Sequence, residues 1–146
     1  MPNSEPESES EKEGPVHGFI LAFDFGLKWV GVAVGQTLTA SARPLTTLRA
    51  KQGKLKKEDL NALIEEWRPN ALVVGLPLNM DDSESDMSSR SRRFARFLEK
   101  TTGLPTHLVD ERLTSYAADT ASAATGPGNH AEAASIIAMS FLNEAT

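Results

Sequence analysis

A chain of 146 residues, 40% apolar and 24% charged, has ordinary globular composition and enough length to close one core. No apolar run approaches the roughly 20 residues that span a bilayer, and the absence of cysteine excludes disulfides, thiol catalysis and cysteine-ligated zinc. The formal net charge of −5 argues at first against a nucleic-acid partner, but it is unevenly placed.

Residues 1–13 hold five glutamates against Lys12, so −4 of the −5 resides there. This Ser/Glu/Pro-rich stretch has no apolar periodicity and cannot offset its own ordering entropy, so residues 1–15 are expected to be a disordered acidic tail. Without a basic start and an apolar segment it does not read as a secretory signal, and the expectation is a cytoplasmic protein. Gly14-Pro15 punctuates the start of a domain over residues 16–146, in which no repeat or second composition shift occurs.

Phe19–Phe25 reads as a strand apolar on both faces until Asp24, as a central strand should be. Gly26-Leu27-Lys28 turns it into a second strand, Trp29–Gly35, as an antiparallel hairpin, and Arg43–Leu48 reads as a third. Leu60, Leu63, Ile64 and Trp67 recur at helical spacing, predicting a helix over Lys56–Trp67 that Pro69 closes. Ala71–Gly75 is a short buried strand. Ser88 or Ser89 is expected to cap a helix running to Thr101 that buries Phe94, Phe97 and Leu98. Thr106–Val109 is a fifth strand, followed by an alanine-rich helix over Thr114–Ala124 and the break Gly126-Pro127-Gly128. A last helix starts at His130, with Ala134, Ile137, Ala138 and Phe141 facing inward. Three strands in a row, then strands alternating with helices, imply a mixed sheet whose first, fourth and fifth strands are parallel. Open sheets of this kind place their sites at the carboxyl ends of the parallel strands.

Asp24 ends the first strand, where a buried carboxylate is costly unless paired or neutralised. It reads either as a cap for the Gly26 turn or as a metal ligand or general base. Asp110-Glu111-Arg112 follows the fifth strand and offers either a loop ion pair or a second carboxylate facing Asp24. Two carboxylates from separate strands suit Mg²⁺, which leaves its other positions to water and phosphate. His130 follows a glycine break and either packs structurally or points back at the strand ends. His17 and His107 carry no such placement. Asn79, in the Gly75–Asp81 turn, offers an amide to a phosphate or base. Basic side chains cluster in two runs, Arg49, Lys51, Lys54, Lys56 and Lys57, then Arg90, Arg92, Arg93 and Arg96, and none follows Arg112.

In combination, FDFGLKWVGVAVGQ (Phe23–Gln36), VVGLPLNMD (Val73–Asp81), RSRRFA (Arg90–Ala95) and VDERLTSYAA (Val109–Ala118) resemble the YqgF/RuvX family of pre-16S rRNA nucleases and Holliday-junction-resolvase-like proteins. The similarity covers Gly18 to Phe141. It implies an α/β, RNase H-like (resolvase-type) fold with a five-stranded mixed sheet and helices on both faces. It also implies Mg²⁺- or Mn²⁺-dependent hydrolysis of phosphodiesters in structured nucleic acid, with two metals about 3.5–4 Å apart in such sites. Matched by motif, Asp24 is the first-strand catalytic Asp and Glu111 the Glu of D-E-R. Lys28, Asn79, Arg92, Arg93 and Arg112 match positions expected to face phosphates. Where the family begins its last helix K-V-D, this chain has Gly128-Asn129-His130, so His130 stands at the third ligand position. Glu132 lies about 200° around the helix and does not substitute for it. Neutral imidazole binds Mn²⁺ but suits Mg²⁺ less well than oxygen.

The implied function is processing of the 5′ end of precursor 16S rRNA during ribosome biogenesis. The alternatives are a Holliday junction resolvase and a non-catalytic RNA-binding assembly factor with a degenerate site. Resolution of a junction needs a twofold dimer, and no separate dimerisation helix is visible, so a monomer is expected. An actin-like ATPase, which shares the Asp24-Phe25-Gly26 motif, needs a second domain for which the chain has no room.

Overall fold

A computed structural model describes residues 18–81, 83–111 and 129–145. Strands β1 (Phe19–Asp24), β2 (Trp29–Gln36) and β3 (Ser41–Arg49) form a meander, followed by helix α1 (Lys57–Trp67), strand β4 (Ala71–Leu76), helix α2 (Asp86–Thr102), strand β5 (Thr106–Asp110) and helix α3 (His130–Ala145). The sheet order is β3-β2-β1-β4-β5. β1 pairs antiparallel with β2 and parallel with β4, and β4 pairs parallel with β5. This is the expected mixed sheet with β1, β4 and β5 parallel. The expected tail at residues 1–15, the helix over 114–124 and Arg112 lie outside the described residues.

Alternation along the strands sorts the core into two layers. Leu21, Phe23, Val30, Val32, Leu72 and Val74 join Leu60, Phe94 and Leu98 of α1 and α2 on one face. Ile20, Ala22, Val73 and Val109 meet Ile137, Ala138 and Leu142 of α3 on the other. Helices therefore cover both faces, and the continuous apolar runs of β1 and β4 follow from burial on both sides. Among the inward residues expected on α3, Phe141 is only partly buried and Leu142 takes the deep position.

Pro44 falls inside β3, an edge strand of the sheet, where a missing N–H is best tolerated. A register shift opposite Val32 and Ala33 marks a bulge beside it. α1 ends at Trp67, two residues before Pro69. Arg68 is left-handed, with φ 47°, and its N–H donates to the Ile64 carbonyl at 2.8 Å.

The start of α2 corrects the sequence expectation. Ser85, not Ser88 or Ser89, is the N-cap: its Oγ accepts from the Ser88 N–H at 3.0 Å, and the Ser88 hydroxyl accepts from the Ser85 N–H at 2.7 Å. Ser88 is thus the buried N3 member of a capping box.

Candidate active site

Asp24 shares its face of the sheet with Ile20 and Ala22, so its side chain lies on the α3 side at the carboxyl end of β1. Glu111 follows β5 and shares the parity of Val109, which brings it to the same face. His130 opens α3 directly above, its Nδ1 3.7 Å from Asp24 Oδ2. Their side chains, His130 at 23% exposure and Asp24 at 18%, are open enough to meet a substrate and too enclosed for full hydration.

Two glycines make the gathering possible. Gly31 on β2 pairs across from Asp24, and a Cβ there would run into the His130 carbonyl oxygen. Gly75 on β4, one residue past the Phe23–Val74 pair, flanks Asp24 on the other side. A Cβ there would strike a Glu111 carboxylate oxygen and lie 2.6 Å from Ile137 Cδ1. The helix start and the second carboxylate thus occupy the space that side chains on the neighbouring strands would fill. Sequence reasoning missed both residues. The available signal was glycine inside an otherwise bulky, buried strand, which marks a close approach.

The electrostatics follow from this crowding. Burial pushes the Asp24 carboxyl from its ordinary 3.8 up to about 7. Glu111 is pushed from 4.5 to about 7, by burial first and then by the charges of Asp24 and Asp110. Two carboxyls that resist ionisation side by side are what a bound cation would relieve. Among the described residues no group of three or more His, Cys, Asp or Glu is arranged to hold a metal ion. Asp24 and Glu111 offer the oxygen donors that Mg²⁺ or Mn²⁺ commonly takes, and His130, the third expected ligand, stands beside Asp24.

The expected phosphate-facing residues separate. Lys28 is exposed in the β1–β2 turn, four residues after Asp24. Arg93 is exposed on α2 and lines a groove on the opposite face of the sheet. Arg92 is engaged: its Nε and Nη2 donate to the two Glu84 oxygens at 3.0 and 2.9 Å. Asn79 is also engaged, its amide donating to Ser83 Oγ at 3.0 Å within a local turn closed by Asp81.

A family model described as RuvX, Holliday junction resolvase, matches residues 18–144. Proteins of Azotobacter vinelandii and Pseudomonas putida, both named "Putative pre-16S rRNA nuclease", are 52% identical over 99 residues, 68% of this chain and 70% of theirs. Among solved structures, Thermus thermophilus RuvC in complex with a Holliday junction substrate superposes with a TM-score of 0.56 at 14% identity, covering 88% of this chain and 95% of that one. The fowlpox virus Holliday junction resolvase gives 0.51 at 9% identity, covering 88% and 99%. These two share the RNase H-like fold.

Proposed function

The chain belongs to the RuvX family, and from that premise we propose that it is a divalent-metal-dependent endonuclease acting on structured nucleic acid, with precursor 16S rRNA as its substrate. The observation that carries this reading is the pair Asp24 and Glu111, largely desolvated on one face of the sheet at the ends of separate parallel strands. The 52% identical relatives named for pre-16S rRNA nuclease activity support the substrate.

Asp24 and Glu111 are the residues that would hold Mg²⁺ or Mn²⁺. When bound, the ion supplies Lewis acidity that activates a water and steadies a leaving oxygen. The chain's own contribution is positional. β1 and β5 fix the two carboxylates, and Gly31 and Gly75 let α3 and Glu111 close over them. His130, its Nδ1 3.7 Å from Asp24 Oδ2, is the third member of the proposed site, where it would complete the metal's ligands or hold a proton. Lys28 is an exposed cation within the turn that leaves Asp24, and Arg112 follows Glu111 directly in sequence; both are proposed to face the phosphate backbone.

The test is cleavage of precursor 16S rRNA and of four-way DNA junctions with Mg²⁺ or Mn²⁺, comparing wild type, Asp24→Asn, Glu111→Gln and His130→Asp. The expected result is rRNA cleavage lost by at least about 10²-fold in both carboxylate variants. Cleavage that survives Asp24→Asn would sink the assignment. The family description favours a second reading, junction resolution, and preferential cutting of junctions by a twofold dimer would establish it instead.

A further inference from the structure

On the face of the sheet opposite Glu111, residues of α1, of α2 and of the segment before α1 line a groove of about 1040 Å³. Its walls carry Lys54, Lys57, Arg90, Arg93 and Lys100, and among the described residues no carboxylate lines it. In a chain of net charge −5, five cations around one groove mark a site for a polyanion. Arg90 is held by exposed Asp86 at 3.0 Å. Among the described residues, Lys54, Lys57, Arg93 and Lys100 form no ion pair, and all four are exposed.

The floor is aromatic. Phe94 stacks with Phe97 at 6.3 Å and packs against Phe25 at 5.0 Å. The rim beside Phe25 is a tight turn, Lys51-Gln52-Gly53-Lys54, with paired backbone hydrogen bonds of 3.0 Å and positive φ at both central residues. Gly53, at φ +83°, permits the close seat: a Cβ there would lie 2.9 Å from Phe25 Cζ. The Gly53 N–H also donates to the Leu27 carbonyl at 2.8 Å, tying the rim to the turn that follows Asp24. Phe25 is Asp24's chain neighbour, so one step of backbone at the end of β1 joins the groove to the candidate active site.

We propose that this groove holds an unpaired stretch of the substrate strand, phosphates on the lysines and arginines and bases against the phenylalanines, while the same strand passes the end of β1 to reach Asp24. The proposal rests on the nuclease reading for the identity of the strand. Phe25 and Phe97, the partly buried rings of the groove floor backed by buried Phe94, are available to an unstacked base and not to a paired duplex, which selects single-stranded over double-stranded nucleic acid.

The experiment uses the full chain carrying Asp24→Asn, in EDTA, so that binding is read without cleavage. The probe is a fluorescein-labelled 12-nucleotide single-stranded RNA, alone or annealed to its complement, followed by anisotropy across a salt series. Replacing Lys54, Lys57, Arg93 and Lys100 by Gln should raise the Kd for the single strand at least tenfold at 100 mM salt. The log–log salt slope should flatten by about 0.7 for each phosphate that is no longer neutralised. Lys56→Gln with Arg96→Gln, two exposed cations outside the groove, should leave both within twofold. Equal weakening by this control pair, an unchanged slope, or duplex binding as tight and as sensitive to the four substitutions would overturn the proposal. The two readings fail separately. Groove-dependent binding by a wild type that cleaves nothing refutes the nuclease and keeps the groove, whereas cleavage with groove-independent binding does the reverse.

Discussion

At the scale of single residues, the candidate site depends on what two glycines lack. Gly31→Ala sets a methyl group against the backbone carbonyl of His130 and the Ala131 nitrogen, which cannot rotate away. The start of α3 must lift, and a cost of about 2–3 kcal/mol is expected, read as a lowered urea midpoint with unchanged m-value. Gly75→Ala meets the far end of the Glu111 side chain and Ile137 Cδ1, both of which can turn. Its signature is the opposite: a smaller loss of stability with a large loss of kcat, because Glu111 is displaced from Asp24. Equal effects of both variants on kcat and midpoint would show that Gly75 does no positioning. Asp24 was legible in the sequence because a carboxylate ending an apolar strand calls for a partner, whereas Glu111 was singled out from Asp110 only by the resemblance of its motif. The two glycines were not, because the groups they accommodate arrive from β5 and α3, far along the chain. The engagement of Arg92 was also hidden, since Glu84 reaches it from the loop before α2.

At the scale of elements, hydrophobic period located every described strand and helix to within two residues at nearly every end, and parity along the strands fixed the face on which Asp24 lies. The start of α2 escaped because Ser83, Ser85, Ser88 and Ser89 are all chemically able to cap. Tertiary packing decides among them: the Ser85 hydroxyl also donates to the Pro77 carbonyl at 3.1 Å, and Ser88 is fully buried. Ser85→Ala should therefore cost about 1 kcal/mol, with Ser89→Ala near neutral, checked by thermal or urea denaturation. Glu84 supplies a contrast. Its hydrogen bonds from Arg92, then from Ser88, hold its carboxyl below the usual range, so its contribution fades as pH falls through that range. Because the pair is exposed, Glu84→Gln should change stability little at neutral pH, and less still at high salt. A large loss there would mean that the loop before α2 is fastened through Glu84 rather than through Ser85.

At the scale of the whole molecule, the site and the stability of the fold are linked through protons. Asp24 has an ordinary value of 3.8 and a folded value of about 7. Over that window the folded state binds the proton more tightly than the unfolded chain, so stability is full below about pH 4 and falls as pH rises towards 7. A shift of that size corresponds to about 4 kcal/mol lost by pH 8, to order of magnitude. Glu111 titrates in the same range, but its value already contains the repulsion from Asp24 and is not to be added. Removing the charge should remove the loss. In EDTA, Asp24→Asn should melt several degrees above wild type at pH 8, and the difference should vanish near pH 4. If the proposed site takes a divalent cation in the folded state alone, Mg²⁺ or Mn²⁺ should raise the wild-type Tm at pH 8 while leaving Asp24→Asn unmoved. This measurement needs no substrate and no turnover. A wild type already as stable as Asp24→Asn at pH 8 in EDTA would mean that the carboxyl pair carries no strain and that the cation has nothing to relieve. The net charge of −5 then takes on a different sense. Four of its charges lie in residues 1–13, and the exposed cations that line the groove stand on the face of the sheet opposite Asp24 and Glu111.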